Sequence, residues 1–456
     1  MHPDLIVQRP QGLFCPPGDF YIDPWRPVPR AVITHAHADH ARRGHGAYLA
    51  TAQSAGVLRA RLGDISLQGL AYGEAVQLNG VRISLHPAGH VLGSAQVRLE
   101  HRGQVWVASG DYFVSGIEGD HNPSCVPFEP VRCHTFITES TFGLPLYRWA
   151  AQADVVAQVN AWWAANAAAG RPSLLMAYSF GKAQRLLAMV DAGIGPIAVH
   201  GAVEPVNQAY REAGIPLPAT RVLPPETRRA DAAADRSWLA QALVVAPPSV
   251  HASAWARRLG DFSDAFASGW MALRGARRRQ GVDRGFVLSD HADWPGLQRA
   301  IAATGAQRVI VTHGFEAVMV RWLHQQGLQA ESFHTEYGDE SGAETAPAQA
   351  PVMASTPLTV AADAPMPTPL SWAPPGGAPP EPASTTVLPA PAPSEARAAA
   401  PAHPPAPQAL WPHAADVPAA AAAPAPRRTR RSGSARARPV PPSGTWVQLD
   451  LFQPPG

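Results

Sequence analysis

Proline is distributed so unevenly along the 456 residues that it limits which part of the chain can fold. The last 116 residues, from Ser341 to Gly456, hold 27 of the 49 prolines. They include stretches such as PPGGAPPEPAS and AAAAAPAP, which offer too little apolar surface to offset the entropy lost on ordering. The sequence therefore predicts a disordered tail over 341–456 and a folded part that ends near residue 340.

Charge and cysteine content narrow the class of protein. The net charge of +2 excludes a uniformly basic nucleic-acid coat, so any affinity for polyanions must lie in local patches. No apolar run has the length of a membrane span and the first residues lack a secretory signal pattern, so we expect no membrane association. Three cysteines, odd in number and without metal-site spacing, predict a reducing compartment, the cytoplasm.

Short apolar runs that end in polar clusters predict the strands of the folded part. Between residues 150 and 214 such runs alternate with helical patterns, which is typical of βαβ units and a parallel sheet. The fold class predicted is therefore α/β. The predicted strands include Ala31–Ile33, Val81–Leu85, Val105–Ala108, Phe136–Thr138, Leu174–Ala177, Leu243–Val245, Phe286–Leu288 and Val309–Val311.

The strongest chemical signal is the segment THAHADH, which directly follows the first of these predicted strands. It places three histidines and an aspartate within six residues, a density that core packing does not explain. Imidazole and carboxylate groups suit zinc. The segment contributes four candidate ligands: His35, His37, Asp39 and His40.

Three further candidate ligands also follow apolar runs, namely His90, Asp111 and His313. Each one alone is a weak signal, but strand ends that converge on a histidine-rich loop fit a site at one edge of a sheet. Seven ligands fill two adjacent metal positions if Asp111 bridges them. One position would take His35, His37, His90 and Asp111, and the other Asp39, His40, Asp111 and His313.

The motifs THAHADH, AGHVLGSAQ, SGDY, ESTFG, LSDHAD and VTHG, in this order, resemble those of metallo-β-lactamase-fold nucleases of the β-CASP group. The opening GLFCPPGDFYIDPWRPVPRAVITHAHADH resembles the bacterial ligase-associated DNA exonuclease family. The resemblance implies an αββα sandwich with an inserted βαβ (β-CASP) domain and a disordered C-terminal tail. The expected boundaries are 1–145 and 286–340 for the metallo-β-lactamase domain, 146–285 for the insertion and 341–456 for the tail.

The resemblance also assigns roles to three more residues. Asp23 matches the first acidic motif and would support the histidine loop from behind. His291 would be a general acid near the scissile phosphate, with Glu139 orienting its ring and Asp39 taking a proton in turn. Without the resemblance, Glu139 beside Ser140 and Thr141 would be interpreted as a helix or turn cap.

The implied activity is a di-zinc phosphodiesterase, with Mn²⁺ as an alternative metal, that acts as a DNA exonuclease in end processing and repair. Family association implies a DNA ligase and a helicase as partners. Because His313 is typical of RNA-cutting members, an RNA-processing enzyme is the alternative. A non-catalytic metal-binding repair scaffold and a small-molecule hydrolase are further alternatives. The complete ligand set argues against the scaffold, and His291 with the long insertion argues against the hydrolase.

The segment AYSFGKAQRLL predicts a strand followed by a helix that begins near Ser179, Gly181 and Lys182. Free N–H groups at the start of a helix, with the chain's one lysine, would hold a backbone phosphate. The spacing is not that of a Walker loop. Ordinary capping by Ser179 is the alternative.

Two features of the tail predict interactions. Six arginines lie between residues 427 and 438 with no acidic residue among them, which predicts salt-sensitive DNA affinity or a solubilising cluster. Near residue 450 the sequence QLDLF is an apolar island that resembles the peptide by which bacterial DNA polymerases and repair proteins bind the sliding clamp. The predicted docking residues are Gln448, Leu449, Leu451 and Phe452.

Overall fold

The structure is a computed structural model, and it describes residues 3–223 and 237–336. These residues form three β-sheets and eight α-helices. Within these ranges, none of the helices reaches the length and apolar character that crossing a lipid bilayer requires. The predicted tail, 341–456, lies outside the described residues.

The first sheet is built from the N-terminal part of the chain. Its six strands lie side by side in chain order, the first three antiparallel and the rest joined in parallel. The strands are β1 (Val7–Arg9), β2 (Gly12–Cys15), β3 (Phe20–Ile22), β4 (Arg30–Val32), β5 (Ala47–Thr51) and β6 (Leu67–Leu70).

The second sheet combines an antiparallel meander with three strands added in parallel. Its strand order is β19-β18-β11-β10-β9-β8-β7, so that two strands from the end of the described chain complete it. The strands are β7 (Ala75–Leu78), β8 (Val81–Pro87), β9 (Ala95–His101), β10 (Gln104–Ala108), β11 (Thr135–Ser140), β18 (Arg308–Gly314) and β19 (Gln329–Ser332).

The third sheet is wholly parallel and is formed by the chain between β11 and β18. Its order, β14-β13-β15-β12-β16-β17, requires crossover connections, which helices supply. The strands are β12 (Ser173–Met176), β13 (Ile197–His200), β14 (Arg221–Leu223), β15 (Leu243–Ala246), β16 (Ser263–Ala267) and β17 (Arg284–Phe286).

Eight α-helices cover the sheets. They are α1 (Ala55–Leu62), α2 (Gln152–Ala168), α3 (Lys182–Met189), α4 (Glu204–Glu212), α5 (Ala254–Arg257), α6 (Arg274–Gln280), α7 (Trp294–Thr304) and α8 (Glu316–Gln325). In helix α7 the residues at both ends favour the helix. Asp293 caps its start by accepting from the Gly296 N–H, and Pro295 lies in its first turn. Gly305, in the left-handed conformation, ends it.

The first two sheets face each other across one apolar core. Leu49 and Ile22 of the first sheet and Leu85 and Leu99 of the second belong to the same buried cluster. Helices α1 and α4 cover the outer face of the first sheet, and helices α7 and α8 cover the outer face of the second. The result is a helix–sheet–sheet–helix arrangement, and the α/β class predicted from the sequence is confirmed.

Each predicted strand overlaps an observed strand, but three run one or two residues past its end: Ala31–Ile33, Leu174–Ala177 and Phe286–Leu288. The run Phe286–Leu288 was predicted as a strand, whereas β17 ends at Phe286. The neighbouring strand β16 ends at Ala267, which pairs with Phe286, so the ladder has no partner for the last two residues of the run. Those two residues instead lead into the loop that carries His291.

Candidate metal centre

The candidate ligands lie in loops that leave the facing sheets at one edge. The loop after β4 carries the THAHADH segment, the loop after β8 carries His90 and the loop after β10 carries Asp111. Strand β11 carries Glu139, and the loop after β17 brings in His291. Residues far apart in the sequence are therefore collected at one place by the strand order.

Four of the predicted ligands form a compact group of donor atoms. The group consists of His35, His37, His90 and Asp111, whose donor atoms all lie within 4.8 Å of one another. His37 Nδ1 is 3.1 Å from both His35 Nε2 and His90 Nε2. Asp111 Oδ2 is 3.4 Å from His35 Nε2 and 3.9 Å from His90 Nε2. This is the set predicted for the first metal position.

One nitrogen of each of these rings is held by the protein, which fixes where the lone pair of the other nitrogen points. His37 Nε2 donates to the Phe180 carbonyl at 3.3 Å, and His90 Nδ1 donates to the Asp290 carbonyl at 2.7 Å. His35 Nδ1 lies 3.1 Å from the Thr34 hydroxyl. With these tautomers, the nitrogens that face one another are the ones able to coordinate a cation.

Asp23 lies directly behind the histidine loop. Its carboxylate accepts from the Thr34 backbone N–H at 2.8 Å and from the Thr34 hydroxyl, and it accepts from His40 Nδ1 at 2.7 Å. His40 Nε2 then points to Asp111 Oδ2 at 3.3 Å. The aspartate thus orients one ring directly and, through Thr34, a second.

The electrostatics of the group suit a cation. Burial lowers the pKa of His35 well below its ordinary value, so that ring is neutral and keeps its lone pair. Burial alone would raise the pKa of Asp111, but His40 and His35 outweigh it and hold that pKa well below its ordinary value. For His40, burial is outweighed by the charges of Asp111 and Asp39, which raise its pKa well above the ordinary value. A neutral imidazole and an ionised carboxylate are both donors that zinc takes in proteins.

A second buried pair adjoins the group. His291 Nδ1 donates to Glu139 Oε2 at 2.7 Å, and donor atoms of this pair and of Asp111 lie within 4.8 Å of one another. Glu139 also accepts from the Tyr112 backbone N–H at 2.8 Å and from the Thr141 hydroxyl. These contacts lock the carboxylate in place. In the structure Glu139 sits inside β11 and faces His291, not at the end of a helix.

Two further predicted ligands are Asp39, in the loop after β4, and His313, in β18. Asp39 Oδ2 is 3.7 Å from His40 Nε2. His313 is a buried residue of β18 with a backbone φ of 54°, and its carbonyl accepts from the Ser140 hydroxyl at 2.6 Å. Among the described residues, the three groups of closely spaced donor atoms include neither Asp39 nor His313. Their role in a second metal position stays a prediction.

The predicted phosphate loop packs against the metal ligands. Gly181 has a φ of +89°, and a Cβ there would lie 2.4 Å from Val91 Cγ1 and 3.6 Å from His37 Nε2, so only glycine fits. Its N–H already donates to Gln184 Oε1 at 2.9 Å, and Ser179 is buried. Lys182 is also buried, with its ammonium 3.4 Å from Asp290 Oδ2. Phosphate binding by this loop stays a prediction, since the lysine faces a carboxylate inside the protein.

Some residues predicted from the sequence fall beyond the described residues, and some features of the site were not predicted. The arginine run and the docking residues Gln448, Leu449, Leu451 and Phe452 lie outside the described residues. Sequence reasoning missed the bridging role of Thr34, and it gave no role to Asp290 or Arg185. The signals were present: Asp290 stands next to His291 in LSDHAD, and Arg185 follows Lys182 by three residues, which places both on one face of a helix.

Comparison with known proteins finds two sequence relatives, and both have the names of enzymes that act on nucleic acids. No protein-family model matches it. Over 355 residues, 77% of the chain, it is 31% identical to a probable DNA ligase from Opitutus terrae. Over 131 residues, 27% of the chain, it is 29% identical to the endoribonuclease ysh-1 of Neurospora crassa. The chain spans 33% of the length of the ligase and 14% of that of the endoribonuclease.

A structural comparison finds a crystal structure of a protein of unknown function from Enterococcus faecalis V583. The TM-score is 0.46 at 12% sequence identity, over 68% of this chain and 80% of that one. The comparison therefore depends on the sequence relatives, which are named as a probable DNA ligase and an endoribonuclease.

Proposed function

We propose that this chain is a metal-dependent nuclease that hydrolyses phosphodiester bonds at DNA ends. The observation that carries the proposal is the position of the His291–Glu139 pair, whose donor atoms lie within 4.8 Å of those of Asp111. A group of metal ligands alone serves many hydrolases. A buried imidazole–carboxylate pair beside it adds a proton donor of the kind that a departing sugar oxygen requires.

The donor set fits zinc. Three imidazoles and one carboxylate would hold the first ion, and two ions are proposed, with Mn²⁺ as an alternative. The second ion would use His40, Asp39, Asp111 and His313. When bound, such ions supply Lewis-acid stabilisation of phosphoryl charge and lower the pKa of water toward neutrality.

The protein's own residues have defined tasks in this proposal. Glu139 holds the His291 ring by accepting from Nδ1, so Nε2 is the atom that gives a proton to the leaving oxygen. Asp23 keeps His40 in the tautomer that directs Nε2 at Asp111. The nearly complete burial of His291, Glu139 and Asp23 excludes water from these contacts and strengthens them.

The architecture supports a metallo-β-lactamase fold with a β-CASP insertion. The two facing sheets with helices on both outer sides correspond to the αββα sandwich expected at 1–145 and 286–340. The parallel third sheet, whose strands begin at Ser173 and end at Phe286, corresponds to the insertion expected at 146–285.

The choice of DNA over RNA rests on the extent of the two sequence matches. The relative named as a DNA ligase aligns with 77% of the chain, whereas the endoribonuclease aligns with 27%. The first match supports DNA ends as substrate and a functional association with DNA ligation. The second match keeps RNA processing as the alternative function.

Digestion of end-labelled DNA and RNA of matched sequence, with Zn²⁺ or Mn²⁺ added, tests the proposal. We expect metal-dependent shortening of DNA from its ends, abolished by chelation and by Asp111→Ala. The matched control is Asp64→Ala, which removes an exposed carboxylate after α1 and should leave activity unchanged. Cleavage of RNA alone would establish the alternative, and full activity of a purified Asp111→Ala protein would end the metal mechanism.

A further inference from the structure

Three charged side chains meet in the interior beside the candidate centre. Asp290, Lys182 and Arg185 are each only 1% exposed. Arg185 Nη1 donates to Asp290 Oδ1 at 2.9 Å, and Lys182 Nζ lies 3.4 Å from Asp290 Oδ2. Removing three charges from water carries a desolvation penalty that their mutual attraction repays only when the geometry is excellent, and the net gain in stability is often nil. Stability alone is therefore a poor explanation for this cluster.

The geometry of the cluster is tightly determined. Arg185 also donates to the Ser289 carbonyl and, through Nε at 2.9 Å, to Gln152 Oε1. Its guanidinium lies over the Phe113 ring, 4.3 Å from the centroid. All three guanidinium nitrogens thus donate hydrogen bonds, and Nη1 holds both the side chain of Asp290 and the backbone just before it.

The backbone of Asp290 in turn contacts a metal ligand. Its carbonyl accepts from His90 Nδ1 at 2.7 Å, across 200 positions of sequence, and His90 Nε2 lies 3.1 Å from His37 Nδ1. The rings of His90 and His291 are in contact, with their centroids 4.7 Å apart and their planes tilted by 56°. A displacement of residues 289–291 would therefore move the hydrogen bond that decides which nitrogen of His90 carries the proton and which one faces His37.

We propose that Asp290, gripped by Arg185 and Lys182 of helix α3, is a positioning residue that holds His90 in its metal-binding tautomer. Through this charged cluster, helix α3 contacts the segment whose backbone holds His90 in the candidate metal centre. Lys182 then acts through Asp290 and not as a ligand of substrate phosphate. This inference rests on the proposed function in one respect, that the histidine group binds a metal.

Titration of the metal-free full-length chain with Co²⁺, followed by visible absorption, tests this without using activity. Asp290→Asn should weaken Co²⁺ binding by about 10-fold or more and change the absorption bands, since partners of metal-ligating histidines contribute on that scale. Glu204→Gln is the matched control. It removes a carboxylate that accepts from Arg211 at 2.7 Å in α4 and belongs to none of the three groups of closely spaced donor atoms, so both readouts should be unchanged.

A second variant covers the case in which Asp290→Asn does not fold, because two buried cations would then lack their counter-charge. Lys182→Met combined with Asp290→Asn removes one cation and one anion together. It should also bind Co²⁺ about 10-fold more weakly, with circular dichroism unchanged. Wild-type affinity and spectrum in either folded variant would overturn the proposal.

The two proposals fail separately. A wild-type chain that binds Co²⁺ but hydrolyses neither DNA nor RNA would end the nuclease proposal and leave the role of Asp290 to be decided by the variants. An active nuclease in which folded Asp290→Asn binds Co²⁺ normally would do the reverse. A wild-type chain that binds no Co²⁺ would overturn both.

Discussion

His291 donates from Nδ1 to Glu139 Oε2 at 2.7 Å, although 152 positions separate the two residues in the sequence. Both side chains are buried, and the carboxylate is held by two further donors. The ring therefore has one orientation, with Nε2 as the atom available for proton transfer.

Replacement of His291 by alanine should slow phosphodiester hydrolysis by about 10²–10⁴-fold, because a general acid is lost. The bound zinc, measured by mass spectrometry of the purified protein, should be retained. The internal control is the leaving group: a nitrophenyl ester, whose leaving oxygen needs no proton, should be affected much less. Equal losses on both substrates would show that His291 does not act as the acid.

Substitution of Gly181 by alanine should both destabilise the chain and weaken metal binding. The added Cβ would meet Val91 beside His37, so the loop must move away from that ligand.

Gly170→Ala is the matched control, because its φ is +69° but nothing lies within 4 Å of the added atom. We expect it to cost about 1 kcal/mol through backbone strain, without loss of zinc affinity. Equal zinc affinity in both variants would contradict the packing argument. Urea unfolding and zinc titration provide the two measurements.

The buried ring of His45 should make the free energy of unfolding depend on pH. Neither of its ring nitrogens has a hydrogen-bond partner in the described part of the chain. Burial, and then the charge of Arg42, lower its pKa to about 4. The unfolded chain has a His45 pKa of about 6.5, above the folded-state value. The neutral ring therefore contributes fully to the free energy of unfolding at pH values above about 6.5. The contribution is lost as the pH falls from about 6.5 toward the folded-state value.

The free energy of unfolding falls for both proteins as the pH is lowered from 7 to 4.5. We expect the fall to be about 1–2 kcal/mol smaller in His45→Leu than in the wild type, because the variant has no ring to protonate. Urea unfolding at the two pH values, with a chelator present so that the metal ligands contribute equally, measures this difference. The control is His121→Leu, at an exposed position, which should follow the wild type. If the two variants behave alike, the burial of His45 has no such effect.

The QLDLF segment, beyond the described residues, gives a prediction about a partner. A peptide of residues 444–456 should bind a purified bacterial sliding clamp with a dissociation constant in the micromolar range, about −8 kcal/mol. Leu451→Ala with Phe452→Ala should abolish binding and leave nuclease activity on short oligonucleotides intact. Fluorescence anisotropy measures the affinity, and no binding by the unaltered peptide would rule out the docking motif.

The parts of the site that could be predicted from the sequence are those marked by residue type. Histidines and an aspartate that follow apolar runs are conspicuous, and the packing of the first sheet on the second then brings His35 close to His90 and Asp111. The role of Asp290 could not be predicted, because it depends on a backbone carbonyl, which every residue has. Burial of Lys182 was equally hidden, since a lysine at a helix start is usually solvated.

The strand order has a consequence for biosynthesis. Strand β11 lies between β10 and β18, and Ser140 of β11 donates to the His313 carbonyl across 173 positions. Until residue 314 has left the ribosome, β11 is an edge with unpaired backbone groups, open to pairing with another nascent chain. Closing a flexible loop of that length costs about 4–5 kcal/mol by its logarithmic dependence on length. A third sheet that folds early brings the two ends together, lowers this cost and shortens the interval during which the chain is prone to aggregate.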